Sequence, residues 1–249
     1  MKLLAMEAAS VSGSAAVREE DKLLALSFRN RGLTHSQTLL PMVEEVLDAA
    51  GMKITDLDGI AFTDGPGSFT GLRIGGAAVK GLFFGRKACC YPVSSLLAAA
   101  CGGIAFSGIV SASMDARCGQ VYNALFRGDG KTLTRLTADR ALPVAELLEE
   151  LRALEGTPIL HLGDGGHIVF GEAVAAGQTD QILAPAGMRY PTAAGVAEAV
   201  FSGLAAADAE REGYSFPLDP EQLELRYLRK PQAEREREAR EGRTPAKPE

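Results

Sequence analysis

Asp64-Gly65-Pro66-Gly67-Ser68-Phe69-Thr70-Gly71-Leu72-Arg73-Ile74-Gly75-Gly76 carries more structural information than any other stretch of this chain. An apolar run over Leu57–Thr63, read as a buried strand, leads into it, and a helix predicted over Thr70–Phe84 leads out. A glycine-rich connection between strand and helix exposes backbone N–H groups at the positive end of the helix, which suits phosphate. The string nevertheless lacks the GK[ST] ending of a P-loop and the GxGxxG register, and Pro66 removes one donor. A tight strand-to-helix turn that needs its glycines for backbone reasons is the stronger reading. The helix supports a third. Gly71, Gly75, Gly76, Ala77, Ala78 and Gly81 give it several small side chains. An interior glycine costs up to about 1 kcal/mol relative to alanine. Close packing must offset that cost, against its own sheet or against another chain, and the glycines alone do not say which.

Upstream, residues 2–8 and 11–17 alternate small and apolar side chains, and the charged turn Arg18–Lys22 separates them from Leu23–Phe28. Three short antiparallel strands in a meander are expected. Thr34 and Gln37 have capping-box spacing and open a helix expected to run to Ala50, with Pro41 in its first turns and Gly51 beyond its end. A strand over Ala88–Val93 closes the first half. The plan then recurs: strands over Gly108–Met114, Gln120–Phe126 and Thr132–Thr137, a helix over Val144–Leu154, a strand over Pro158–Leu162, the glycine turn Gly163–Gly166, and an Ala-rich helix after Tyr190-Pro191-Thr192 that reaches Ala206. Three strands, helix, strand, glycine loop and helix thus occur twice. The halves share negligible identity, so element order alone points to a duplicated α/β unit. Lobes over 1–105 and 106–228 are expected.

The chain of 249 residues is 46% hydrophobic and 23% charged, ordinary globular usage that excludes a disordered or fibrous protein. Its 26 basic and 32 acidic residues leave a net charge of −6, so no global field attracts nucleic acid. Four cysteines, at 89, 90, 101 and 118, show no CxxC spacing and read as reduced thiols. The N-terminus reads as neither signal nor transit peptide, and no uninterrupted apolar stretch is long enough to span a bilayer, so a cytoplasmic protein is expected. Residues 229–249 combine seven basic and five acidic residues with three prolines and no strong apolar side chain, which predicts a disordered charged tail.

Acids stand near strand ends at Glu7, Asp64, Asp115 and Asp164. In a duplicated fold such carboxylates can converge on a cleft between lobes and hold Mg²⁺ for phosphoryl transfer, although surface acids at strand ends are common. His35 reads as a helix-start cap. His161 and His167, six apart across a glycine turn, fit no usual zinc spacing, and no metal site is expected. Of Cys89 and Cys90, one is expected to face inward.

His35-Ser36-Gln37, Leu40-Pro41-Met42-Val43 and Leu47, followed by Gly65–Gly75, closely resemble the TsaB (YeaZ) family. Met114-Asp115-Ala116-Arg117 with Gln120-Val121-Tyr122 resembles its second signature, and Tyr227-Leu228-Arg229-Lys230-Pro231 its closing one. The resemblance implies the two-lobed actin-like ATPase (ASKHA) fold. It implies a non-catalytic partner of the TsaD threonylcarbamoyltransferase, which modifies adenosine 37 of tRNAs reading ANN codons, with a small TsaE-type ATPase joining the assembly. ATP would enter through a partner subunit, tRNA would be met indirectly, and no membrane is involved.

The two long helices of the first lobe would form the dimer surface, as a homodimer alone or a heterodimer with the transferase. In this sequence they carry His35, Leu39, Leu40, Val43 and Leu47 on one helix. The other carries Phe69, Thr70, Leu72, Arg73, Gly75, Gly76 and Val79. On that basis Gly75→Leu should abolish association and spare the fold. The catalytic relative's metal-binding histidines have no counterpart in Ser94–Gly103. The family's first strand usually ends Asp-Thr-Ser, where this chain has Glu7-Ala8-Ala9-Ser10, which weakens any nucleotide site there. The competing expectation is a self-sufficient Mg²⁺-dependent ATPase or small-molecule kinase of the same fold, using Asp64 and Asp115.

Overall fold

Small and apolar side chains alternating at the N-terminus give the expected meander. In the computed structural model, which describes residues 1–32, 34–154 and 156–229, β1 (Lys2–Glu7), β2 (Gly13–Glu19) and β3 (Lys22–Arg29) pair antiparallel in sequence order. The expected disordered tail lies, beyond Arg229, outside the described residues. Helix α1 (His35–Ala50) has the predicted bounds and buries Leu39, Met42, Val43 and Val46 over β2 and β3. Gly51 ends it in the left-handed conformation that glycine adopts without penalty. The capping box does not form. Thr34 stands at the N-cap position, but its hydroxyl accepts from Ser36 Oγ instead of a helix amide. Pro41 lies past the first turn, on the exposed face, so α1 runs with one ladder hydrogen bond missing.

Strand β4 (Gly59–Gly65) inserts parallel to β1, α2 (Phe69–Leu82) packs over β4, and β5 (Cys89–Ser94) adds parallel to β4. Ser68 caps α2, its Oγ accepting from Gly71 N–H at 3.2 Å. The first sheet therefore has the order β3-β2-β1-β4-β5. Cys90 is the inward-facing cysteine of the pair, as expected, and Cys89 is half-buried. A short helix, α3 (Ser95–Cys101), follows with every residue buried.

The second half repeats this arrangement with one strand added. β6 (Ser107–Arg117), β7 (Gln120–Asp129) and β8 (Leu133–Arg135) are antiparallel, and β9 (Arg140–Pro143), which the sequence did not announce, pairs with β7 beyond β8. After α4 (Val144–Arg152), β10 (Ile159–Leu162) inserts parallel to β6. Helix α5 (Gly166–Ala175) leads to β11 (Gln181–Leu183), parallel to β10. The order β11-β10-β6-β7-β8 thus matches the first sheet in sequence and direction. Duplication read from element order is a property of the fold. A short α6 (Ala186–Arg189) follows, and the expected Ala-rich helix divides at Gly203 (φ 79) into α7 (Ala193–Phe201) and α8 (Leu204–Glu212).

Helices α3 and α7 fill the space between the two sheets. α7 packs on β1, β2, β4 and β5, while α3 touches β4 and β5 on one side and β6 and β7 on the other. One continuous core results, from Leu3 and Met6 through Leu96 and Leu97 to Val110 and Phe126. A smaller core, including Ile109, Leu147 and Val169, lies between the second sheet and α4 and α5. Beyond α8 the chain returns along the first lobe. Leu218 bridges to Cys90, Leu223 is buried, and Leu225 lies over Gly76 of α2. This strap ends at the mouth of a cleft between the two sheets. No described helix is long and apolar enough to cross a membrane.

Candidate functional site

A cleft of about 390 Å³ opens where the ends of β1, β6 and β10 face one another. The three sequence signatures meet in its wall. Gly67, Ser68 and Phe69 come from the loop before α2, Met114, Asp115 and Arg117 from the end of β6, and Tyr227, Leu228 and Arg229 from the strap. Ring stacking ties strap to helix. Phe69 and Tyr227 have centroids 4.7 Å apart, and the Arg73 guanidinium lies 3.8 Å from the Phe69 centroid. Arg229 Nη1 donates to Ala116 O at 2.6 Å, so the strap also holds the second lobe. His35 does not cap α1. Its Nε2 lies 2.9 Å from Ser10 O and fixes the β1–β2 turn against the helix start.

Of the four predicted acids, Asp115 and Asp164 line this cleft and Glu7 is buried beneath the Ala9–Val11 turn in its wall. Glu7, fully buried, turns back on its own loop: Oε1 accepts from Ala9 N–H at 2.7 Å and Ser10 N–H at 3.0 Å, and Oε2 from Ser10 Oγ at 3.1 Å. Asp164 crosses between lobes and accepts from Val11 N–H and Asp115 N–H, both at 3.3 Å. Burial pushes the Glu7 carboxyl up to about 8 against the pull of these donors, and burial also raises Asp164. Asp115 sits at the rim with Arg117, 3.2 Å away.

Asp64 does not join them, which corrects the expectation of four converging acids. It pairs with Arg226 of the strap (Nη2 to Oδ1, 2.6 Å), and Arg226 N–H donates to Asp64 O at 2.7 Å. Burial raises its carboxyl to about 7 against the pull of the Arg226 cation. It lines a separate cavity of about 570 Å³ beneath the strap, with Pro92, Tyr214 and Leu218.

The actin-like fold implies a nucleotide and Mg²⁺ in the cleft, and the donor chemistry does not fit them. The amides of Ala9, Ser10 and Val11, the natural donors of the β1–β2 turn toward a phosphate, are already bonded to Glu7 and Asp164. A phosphate would have to displace the Glu7 carboxyl and Asp164 from their own partners. No cluster of three or more His, Cys, Asp or Glu side chains suited to a metal exists among the described residues.

On the two helices, Leu39, Val43, Leu72 and Val79 are buried in the chain's own core. Leu40, Thr70 and Arg73 are exposed, and His35, Leu47 and Phe69 half-buried. Three of the four glycines of α2 pack inward, and Gly81 is exposed. A Cβ on Gly71 would lie 2.0 Å from Ala8 O, one on Gly75 would lie 2.2 Å from Phe62 Cε2, and Gly76 faces Leu225. Gly75→Leu therefore drives a side chain into Phe62 and disrupts the fold itself, contrary to the expectation from sequence. Gly71, Gly75 and Gly76 serve the chain's own sheet and strap while Ala77 and Gly81 are exposed, a division that a glycine count could not reveal. Nor could the sequence show that the closing signature lies against the first two. Only chain reversal after α8 brings it there.

Residues 31–217 match the family model described as "TsaD: tRNA N6-adenosine threonylcarbamoyltransferase". The fold and this match define the class: a duplicated two-lobed protein of the actin-like ATPase fold within the threonylcarbamoyltransferase group. Among curated proteins, the chain is 33% identical over 163 residues to the tRNA threonylcarbamoyladenosine biosynthesis protein TsaB of Bacillus subtilis, covering 66% of this chain and 71% of that one. It is 34% identical over 152 residues to the Escherichia coli protein of the same name, covering 60% and 65%. A solved structure of YeaZ from Pseudomonas aeruginosa superposes with a TM-score of 0.71 at 26% identity, over 91% of this chain and 99% of that one. The chain belongs to the TsaB (YeaZ) family.

Proposed function

We propose that this chain serves in tRNA threonylcarbamoyladenosine biosynthesis as a non-catalytic subunit that pairs with a TsaD-type transferase acting on adenosine 37 of tRNAs reading ANN codons. The names of the curated relatives support the pathway. The observation that carries the non-catalytic role is the engagement of the β1–β2 turn amides of Ala9, Ser10 and Val11 by Glu7 and Asp164, which leaves that turn without free amides for a phosphate. The transferase docks on the first lobe, taken as residues 1–105, with 106–228 as the second lobe. Its contacts are the outward positions of α1 and α2: Leu40 and Thr70, with Arg73 held rigid on Phe69. A TsaE-type ATPase joins in the cytoplasm and carries the ATP requirement, and tRNA is met through the transferase. The family resemblance supports these three assignments.

Light scattering after size exclusion tests the pairing, on this chain mixed with the TsaD-type protein of the same genome. A one-to-one complex is expected. Leu40→Glu with Arg73→Glu should weaken it at least about tenfold, the effect of losing roughly 1.4 kcal/mol of binding. Two outcomes would overturn the reading: indifference to the transferase, or Mg²⁺-dependent ATP turnover by the purified chain that Asp115→Ala abolishes.

A further inference from the structure

The cavity beneath the strap, about 570 Å³, is larger than the cleft between the lobes and has the size of a small-molecule site. A loop that closes on itself forms it. From Tyr214 the strap runs along the outer edge of β5, where Leu218 exchanges backbone hydrogen bonds with Cys90 at 2.8 and 2.9 Å. It returns over α2, where Glu221 O accepts from Lys80 Nζ at 3.1 Å. Its ends meet at Arg226, whose guanidinium lies 5.3 Å from the Tyr214 ring centroid. Side chains alternate on the returning limb: Leu225 lies over Gly76 of α2, while Glu224 and Arg226 line the cavity.

Pro92, Leu218 and Leu223 give the cavity apolar walls. Cys90 turns both its N–H and its C=O outward to Leu218, so the period of two brings Pro92 to the same outer edge, with a carbonyl and no N–H. Asp64, 3% exposed, stands at the buried end. Arg226 Nη2 donates to its Oδ1, and Oδ2 remains as an acceptor.

Charge decides which ligand fits. Arg226 does not serve Asp64 alone, because its Nη1 donates to Glu212 Oε2 at 2.6 Å. Glu212 also meets Arg211, Arg211 and Arg135 both hold Asp208, and Arg135 holds Asp139. Four carboxylates thus share three guanidinium groups, and one negative charge is left over. Glu224, exposed at the rim, forms no ion pair among the described residues and adds a second. Glu224 and Arg226 are two residues apart, at most about 7 Å along the chain. Both negative centres therefore fall within the span of one short aliphatic chain.

From this we infer that the cavity binds a small aliphatic diamine, with one ammonium on Asp64 Oδ2, the other on Glu224, and the methylenes along Pro92, Leu218 and Leu223. Each ammonium brings donors to a site supplied with acceptors, and a dication matches the two uncompensated charges. None of the residues of the proposed transferase surface takes part, so this site and that pairing stand or fall separately.

Isothermal titration calorimetry on the full chain at low ionic strength and pH 8 tests the inference. Asp64, raised to about 7, is then largely ionised, and alkylamines keep their protons. 1,4-Diaminobutane and 1,5-diaminopentane should each bind at one site per chain. n-Butylamine lacks the second ammonium and should bind at least about tenfold more weakly, and 1-butanol should not bind. Glu224→Gln lies at the exposed rim and should leave the melting temperature unchanged. It should weaken the diamines about tenfold and leave n-butylamine unaffected. Asp64→Asn should abolish binding of every amine, and where that variant does not fold, Glu224→Gln alone decides. The inference is overturned by any of four results: no saturable binding, more than one site per chain, a diamine no tighter than n-butylamine, or diamine binding indifferent to Glu224→Gln or to a folded Asp64→Asn.

Discussion

Glu7 shows how one side chain can close a site that its fold would otherwise open. Its carboxyl is fully buried and saturates two turn amides and a hydroxyl, yet burial raises it from 4.5 to about 8. The sign for stability follows directly. Between about pH 4.5 and 8 the folded chain holds a proton that the unfolded chain has released, so the contribution of Glu7 is present in full below 4.5 and declines as pH rises through this window. Asp164, also raised by burial, acts in the same direction. Glu7→Gln keeps the acceptor for Ala9 and Ser10 but does not titrate. Its melting temperature should therefore fall less than that of the parent between pH 5 and pH 8.5, the difference corresponding to at most about 5 kcal/mol. Parallel pH profiles for the two proteins would show that Glu7 does not hold this proton. The sequence put acids at the ends of β1, β6 and β10, but not what each carboxylate bonds, because those partners are set by turn geometry. For Asp64 the deciding partner, Arg226, is 162 positions away.

Among the elements, α1 was legible to the residue because a single buried stripe and a terminal glycine mark it without ambiguity. Helix α5 was not. GHIVFGEAVA is apolar on nearly every side, and no side chain caps its start, so neither periodicity nor a cap announces it. The wholly buried α3 shows no periodicity either, although Ser94 caps its start, its Oγ accepting from Leu97 N–H at 3.1 Å. The strap was read only as a closing signature, and its mechanical role depends on a pair the sequence cannot align. Arg226 neutralises Asp64, whose side chain is 4% exposed, at the point where the strap crosses the end of β4. Removing one member of such a pair leaves a buried charge without its partner, which costs far more than the pair contributes net. Arg226→Met should destabilise by about 3 kcal/mol, and adding Asp64→Asn should recover most of that loss. Urea denaturation of the two single variants and the double variant checks this. Additive losses would mean that the strap is held by its packing on Gly76 and Phe69 rather than by the ion pair.

Across the whole molecule, duplication was readable from element order although the halves share negligible identity, because three antiparallel strands followed by parallel insertions constrain topology more than sequence. The order could not show how the lobes are joined. A two-lobed outline suggests two folding units, but the packing argues for one. α3 contacts both sheets, α7 packs on α3 and on the first sheet, and the apolar cluster runs without a break from β1 to β7. Charged groups add to the joint. Arg135 of β8 pairs with Asp208 of α8 and with Asp139, which in turn accepts from Ser94 Oγ at 2.6 Å, and all three members of the ion cluster are under one-tenth exposed. Neither sheet can lose its partner without uncovering α3, so scanning calorimetry should record one transition with calorimetric and van't Hoff enthalpies in agreement. Leu97→Ala distinguishes a shared core from two cores that melt together by chance. Leu97 is 1% exposed, on the helix between the sheets. A cavity there should cost about 2–5 kcal/mol and move the entire endotherm down by roughly 5–15 °C without splitting it. A second, unshifted peak in that variant would mean that the lobes unfold independently and that α3 belongs to only one of them.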